Sequence, residues 1–225
     1  MRERHIRNIP ALSEEDMDKL AESHVLIAGC GGLGGNIIEN LARVGVGKLT
    51  VVDGDTFTDS NLNRQILSTS DNLGCLKAEA AAARVNSIDP EIEVRPVCEF
   101  ITKENAVTLM TGVDLVVDAL DSVEARLILE DAAEEAGLTI IHGAIRGWDL
   151  QAMVVPPGSR LLHELYYQAP PKTISTSLSF TPAACASIES ALAVRCLCGR
   201  ATPLDGKLLT GSLKEMDFDI IQFGD

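Results

Sequence analysis

The sequence predicts an α/β protein: a Rossmann-like, doubly wound, mostly parallel sheet with a C-terminal antiparallel extension. Three observations lead there. The runs VLIA (25–28), LTVV (49–52) and LVVDAL (115–120) are nearly continuous in Val, Ile and Leu, as strands buried on both faces require. Segments of helical spacing separate them, the alternation that gives a parallel sheet covered by helices on both sides. The first apolar run breaks into glycines at 29, 31, 32, 34 and 35, a strand-to-helix turn.

The elements follow in order. Residues 1–22 read as an arm plus a polar helix, SEEDMDKLAE, with Ser13 as N-cap and acidic residues in its first turn. HVLIAG is a strand, and NIIENLARVG is a helix with Ile37, Ile38, Leu41 and Val44 on one face. KLTVVD is a strand, LKAEAAAARVNS an alanine-rich helix, and EIEVRPV an alternating strand. NAVTLM is a short helix, VDLVVDAL a buried strand, VEARLILEDAAEEAG a helix and LTIIHGAI a strand. WDLQAMVVPPG is a strand that ends at its proline pair. Residues 158–181 form a polar connection without a clear period. PAACASIESALAVRCL is a small-residue helix with Pro182 near its first turn. GKLLTGS and FDIIQFGD are short final strands.

Composition narrows the function classes. The N-terminal MRERHIRNIP is polar and no apolar signal-peptide core follows it. No run approaches the roughly 18–20 apolar residues of a membrane span, so a cytoplasmic protein is expected. The net charge of −14 argues against nucleic acid and anionic membranes as partners, both of which need a basic face. The six cysteines include no C-x-x-C pair. Cys196 and Cys198 form a lone C-x-C, too little for a four-ligand zinc site, so no zinc is expected.

Gly29, Gly31 and Gly34 satisfy G-x-G-x-x-G, and the helix behind them offers backbone N–H groups and a positive dipole end to an anion. Asp53, at the end of the second strand, can bond a ribose hydroxyl. To this point NAD, FAD and ATP fit equally. VVDGDTFTDSNLNRQ (51–65) separates them. Asn61, Asn63, Arg64 and Gln65 follow the ribose carboxylate, and Lys77 opens the alanine-rich helix. Hydride transfer needs no such cations, whereas a triphosphate undergoing displacement needs them to neutralise the reacting phosphorus and the leaving pyrophosphate. VVDALDS then puts Asp118 at a strand end and Asp121 just beyond it, where one carboxylate can hold Mg²⁺ against phosphate oxygens.

The segments VLIAGCGGLGGN, VVDGDTFTDSNLNRQ, LGCLKAEAAAARVNSIDP and VVDALDSVEAR together resemble the ThiF/MoeB/HesA family, bacterial relatives of ubiquitin-activating enzymes. The resemblance is dense over 25–145 and thinner beyond. It implies ATP-dependent adenylylation of the C-terminal glycine carboxylate of a ubiquitin-like sulfur-carrier protein ending in Gly-Gly, in thiamine, molybdopterin, tungstopterin or related sulfur-transfer pathways. By position it implies a phosphate cradle at Gly29, Gly31, Gly32 and Gly34, with Asp53 on the ribose. Asp55, Ser60, Asn61, Asn63, Arg64, Gln65 and Lys77 join the nucleotide-contacting set, and Asp121 is the Mg²⁺-linked catalytic carboxylate, followed by Ser122. RHIRNI is similar to the family's N-terminal arm, which implies a homodimer with Arg7 reaching the neighbouring subunit's ATP. On this reading 1–225 is one adenylyltransferase unit. It comprises an arm and helix (1–22), a nucleotide-binding core (23–145) and a carrier-binding extension (146–225) with a mobile connection at 158–181.

The chain also departs from the family. The two C-x-x-C zinc pairs are missing, and Ser122 stands where an Asn commonly follows the catalytic Asp. No cysteine occurs in 158–181, and Cys185, the nearest, reads as packing rather than nucleophile. Activation is therefore expected to stop at the adenylate. Three alternatives stand beside this reading: a non-catalytic partner of another activating subunit, an NAD(P)- or flavin-dependent oxidoreductase, and a dehydratase acting on modified tRNA. The oxidoreductase leaves Arg64, Lys77 and Asp121 without roles, and the acidic balance opposes the tRNA reading.

Overall fold

A computed structural model describes residues 3–167 and 176–223. Five strands lie parallel: β1 (His24–Ala28), β2 (Lys48–Val52), β3 (Glu93–Val97), β4 (Leu115–Asp118) and β5 (Ile140–Arg146). Three more continue the sheet antiparallel: β6 (Asp149–Val155), β7 (Lys207–Ser212) and β8 (Asp217–Gln222). The order across the sheet is β3-β2-β1-β4-β5-β6-β7-β8. The expected doubly wound core and antiparallel extension are both present.

The apolar runs are buried on both faces because helices cover both. Val25 and Ile27 of β1 pack with Ile37, Leu41 and Val85 on one side. These come from α2 (Gly32–Val44) and α3 (Lys77–Ile88), with α7 (Phe180–Leu197) completing that layer. Leu26 and Ala28 face the other way, against Leu109 of α4 (Ala106–Leu109) and Leu129 and Ala132 of α5 (Val123–Ala136). Alternate residues of one strand thus enter two separate cores, which explains why β1 shows no polar alternation. β3 is an edge strand, largely exposed, and it carries Pro96 where a missing ladder donor is tolerated. No described helix is long and apolar enough to cross a membrane.

The N-terminal reading holds in detail. The arm coils into a 3-10 turn, Glu3–Asn8, and α1 (Glu14–Glu22) starts at Ser13. Ser13 Oγ accepts the Asp16 N–H at 3.1 Å, and Asp16 Oδ2 accepts the Ser13 N–H at 2.8 Å. Those bonds from Ser13 hold the Asp16 carboxyl down at about 2.

The connection 158–181 departs from expectation. Its first part is helical, α6 (Leu161–Tyr166), with Leu161 and Leu162 buried. Residues 168–175 lie outside the described residues, and with them the expected mobility of this stretch. α7 already begins at Phe180, ahead of Pro182.

Candidate active site

The order β3-β2-β1-β4-β5 puts a topological switch between β1 and β4, where open α/β sheets bind ligands beyond their carboxyl ends. A cavity of about 300 Å³ opens there. Its floor depends on glycine. At Gly29, φ is 100° and a Cβ would lie 2.6 Å from the Ala119 carbonyl oxygen. At Gly34 a Cβ would lie 1.8 Å from the Gly29 carbonyl oxygen. Only glycine lets the β1–α2 turn close this tightly on the end of β4. Gly31, at the N-cap of α2, supplies no capping side chain, so the amides of the first turn remain for an anion.

Asp53, just past β2, spans the crevice. Its Oδ2 accepts the Cys30 N–H and its Oδ1 the Asp55 N–H, each at 2.8 Å. It therefore fixes the glycine turn while each oxygen keeps a lone pair. The segment 58–65 braces itself. Asn61 Oδ1 accepts the Thr58 N–H at 3.0 Å, and its carbonyl accepts the N–H groups of Arg64 and Gln65. Arg64 Nη1 donates to the Ser60 carbonyl and to Asn63 Oδ1, both at 2.8 Å, and Asn63 donates to the Ser177 carbonyl at 3.2 Å. Lys77 is buried, with Nζ 3.1 Å from Asp55 Oδ2.

The two aspartates near the end of β4 divide their work. Asp118 is fully buried and engaged by Arg126 and His142. Asp121 lies on an exposed stretch and lines the cavity.

Of the residues singled out from sequence, Gly29, Gly31, Gly32, Asp53, Asp55, Arg64, Gln65, Lys77 and Asp121 all line this one cavity. Gly34, Ser60, Asn61 and Asn63 stand behind them and build the turns. Ser122 caps α5, its Oγ accepting the Ala125 N–H at 3.2 Å. Arg7 is exposed on the N-terminal turn, away from the cavity lining. Among the lining residues that sequence reasoning missed are Phe100 and Arg126. Phe100 is an exposed aromatic past β3 whose ring covers Gly54, where a Cβ would be 2.8 Å from it. Arg126 sits on α5 and was visible only as part of VVDALDSVEAR.

The lining fits a nucleoside triphosphate. It combines a glycine cradle, the cations Arg64, Lys77 and Arg126, and the carboxylates Asp53, Asp55, Glu99 and Asp121, and Gln65 keeps a buried Oε1 without a hydrogen-bond partner among the described residues. No group of three or more His, Cys, Asp or Glu among the described residues is arranged to hold a metal ion, so a cation here would need phosphate oxygens beside Asp121.

The thiols are quiet. Burial, then the Asp53 charge, pushes Cys30 well above its usual range. Burial and neighbouring Glu189 do the same for Cys185, and burial lifts Cys196 to about 11. Each is a neutral thiol at physiological pH, a poor nucleophile.

The sequence matches the ThiF family over residues 3–224. It is 35% identical over 215 residues to the SAMP-activating enzyme E1 of Haloferax volcanii, covering 93% of this chain and 80% of that protein. It is 32% identical over 224 residues to the sulfur carrier protein adenylyltransferase of Thermus thermophilus, covering 93% and 82%. Among solved structures it is similar to the E. coli tRNA N6-threonylcarbamoyladenosine dehydratase in complex with ATP. That likeness has a TM-score of 0.75 at 25% identity, over 88% of this chain and 95% of the other. E. coli MccB with ATP superposes with a TM-score of 0.80 at 21% identity, over 100% and 72%, a likeness of fold.

Proposed function

Because the chain belongs to the ThiF family, we propose that it is an adenylyltransferase that activates the C-terminal glycine carboxylate of a ubiquitin-like sulfur-carrier protein with ATP. The observation that carries this reading is the convergence of Arg64, Lys77 and Asp121 on one glycine-floored cavity at the β1/β4 switch. The names of the relatives support the same reaction and substrate class.

The carboxylate arrives ionised and needs no general base. It attacks the α-phosphorus, an acyl–phosphate bond forms, the α–β anhydride bond breaks and pyrophosphate leaves with the electron pair. Catalysis is then alignment plus charge neutralisation. The glycine turn and the α2 amides hold phosphate, and Asp53 holds the ribose. Arg64 and Lys77 neutralise charge on the reacting and leaving groups. Asp121 would hold Mg²⁺, which supplies further neutralisation when bound. Lys77 must exchange its Asp55 contact for phosphate, so Asp55 stores that cation beside the cavity until the nucleotide arrives.

Residues 1–225 act as one unit, with 146–225 receiving the carrier. The protein works in the cytoplasm as a homodimer, without zinc, nucleic acid or membrane, and Arg7 serves the partner's site. Thiamine, molybdopterin and tungstopterin synthesis are the candidate pathways.

Carrier-dependent ATP–pyrophosphate exchange tests the reaction: exchange with a carrier ending in Gly-Gly supports it, and tight NAD binding without ATP binding refutes it. The dimer has its own test. Arg7→Ala and Asp121→Ala should each be nearly inactive. After subunit exchange, half the dimers are hybrids with one intact site, so about a quarter of wild-type activity returns. No return despite proven exchange removes Arg7 from the partner's site.

A further inference from the structure

Beneath the cavity lies a buried polar chain that the adenylylation chemistry does not use. Asp118 ends β4, and His142 stands beside it on β5 in direct register. Both are fully buried. Asp118 Oδ2 accepts the His142 Nδ1–H at 2.7 Å, which leaves Nε2 as an acceptor. The Tyr166 hydroxyl of α6 donates to Nε2 at 3.2 Å. The same hydroxyl oxygen accepts from Arg126 Nη1 and from Gln151 Nε2, each at 2.9 Å. Arg126 closes the ring, its Nε 3.5 Å from Asp118 Oδ2. Burial lowers the His142 pKa in spite of Asp118, so the ring is neutral and the donor order is consistent.

This ring grips one peptide unit from both sides. The Leu120 N–H donates to Asp118 Oδ1 at 3.0 Å, and the Leu120 carbonyl accepts from Arg126 Nη2 at 2.7 Å. Leu120 immediately precedes Asp121. Two backbone bonds, each made by a buried charged side chain, therefore set the direction in which the chain presents the Asp121 carboxylate. Neither Asp118 nor Arg126 can turn without breaking its bond to His142 or Tyr166.

We propose that His142 and Tyr166 are positioning residues for Asp121, holding Asp118 and Arg126 as a clamp on the Leu120 peptide. The chemical part of this inference rests on the adenylyltransferase reading; the geometric part does not. Tyr166 also faces a second groove, shared with Arg126, Gln151, Thr210 and Asp219, while Arg126 lines both this groove and the nucleotide cavity. The clamp is thus a physical link between the two.

The test uses Tyr166→Phe, which removes one hydroxyl, with His142→Leu and His142→Asn. The amide of the Asn variant can restore the donor to Asp118. Expected is a fall of about ten- to a hundredfold in kcat for carrier-dependent pyrophosphate exchange in Tyr166→Phe and His142→Leu. Affinity for ATP without Mg²⁺, by calorimetry, should stay within about twofold, because the glycine turn, Asp53 and Lys77 are outside the clamp, and His142→Asn should recover most of the rate. Wild-type kcat in both Tyr166→Phe and His142→Leu overturns the proposal, and so does loss of ATP affinity in step with the rate. Crystal structures of the wild type and Tyr166→Phe with ATP decide the geometric part even if the wild type shows no exchange. A displaced Leu120 carbonyl and Asp121 carboxylate support the clamp; an unmoved pair refutes it. Absence of exchange in the wild type itself instead defeats the adenylyltransferase reading.

Discussion

Glu189→Gln tests what a carboxyl does in the middle of α7. Glu189 is fully buried, and its Oε1 has no hydrogen-bond partner among the described residues. Its Oε2 accepts the Cys185 thiol at 3.7 Å. A Cβ placed at Gly143 would lie 2.2 Å from its Cδ, so β5 packs directly on the carboxyl. Burial first, and the charge of Asp118 second, raise its pKa well above the usual 4.5. The folded protein therefore keeps a proton that the unfolded chain has released. For an acid with a raised folded pKa, stability is full below the unfolded value and falls as pH rises towards the folded one. One proton gives a slope of about 1.4 kcal/mol per pH unit. The glutamine side chain carries no such proton. Over an interval that starts above the unfolded value, the unfolding free energy of Glu189→Gln minus that of the wild type should then grow with pH, by at most about 1.4 kcal/mol per pH unit. Urea denaturation of both proteins across that interval measures it, and a difference independent of pH would refute the reasoning.

Three further outcomes are expected. Gly34→Ala places a methyl 1.8 Å from the Gly29 carbonyl oxygen, so the turn must open. Stability should fall by about 1–3 kcal/mol in urea and ATP affinity by at least about tenfold in calorimetry; a variant that binds ATP normally would contradict the tight-turn account. Ser122→Ala removes the α5 cap and should cost about 1 kcal/mol, while Ser122→Asp keeps most of it, as read from thermal unfolding. Cys185→Ala should retain most pyrophosphate exchange, because its buried thiol is neutral; a reductant-sensitive carrier adduct trapped at Cys185 would show a covalent role.

The parallel core and its helices were legible because each apolar run exceeds what one buried face needs, and because Gly, Asp and Ser mark the turns between them. The cavity was legible for the same reason: the glycines, Asp53, Lys77 and Asp121 stand at strand ends or helix starts, and Arg64 on the turn that follows Asp59–Asn61, and topology gathers them at one sheet edge. α6 was not. Its N-cap is Arg160 with φ 58°, and its first amides are capped from another element, Glu130 of α5 accepting the N–H groups of Leu162 and His163. A helix capped across the fold leaves no local signal. The ring around His142 was hidden in the same way. Asp118 and His142 are strand neighbours only after β4 pairs with β5, and within LTIIHGAI the histidine looks like an interruption of an apolar run. Spacing alone does not separate Asp118 from Asp121; burial does, since Asp118 is fully buried against His142 and Arg126 while Asp121 lines the cavity.

The position of β1 has a consequence for the chain as it leaves the ribosome. β1 comes first in sequence yet sits inside the sheet, between β2 and β4. β2 follows soon, but the other edge of β1 stays open until Leu115–Asp118 has been synthesised. Throughout that interval the nascent chain carries the glycine turn on a half-paired strand, with an unfilled row of backbone donors and acceptors that other chains can pair with. The cavity cannot exist earlier either, since Asp121 emerges just behind β4. A nucleotide thus enters only after β1 is sealed, and from then on it adds its binding energy to the closed form alone.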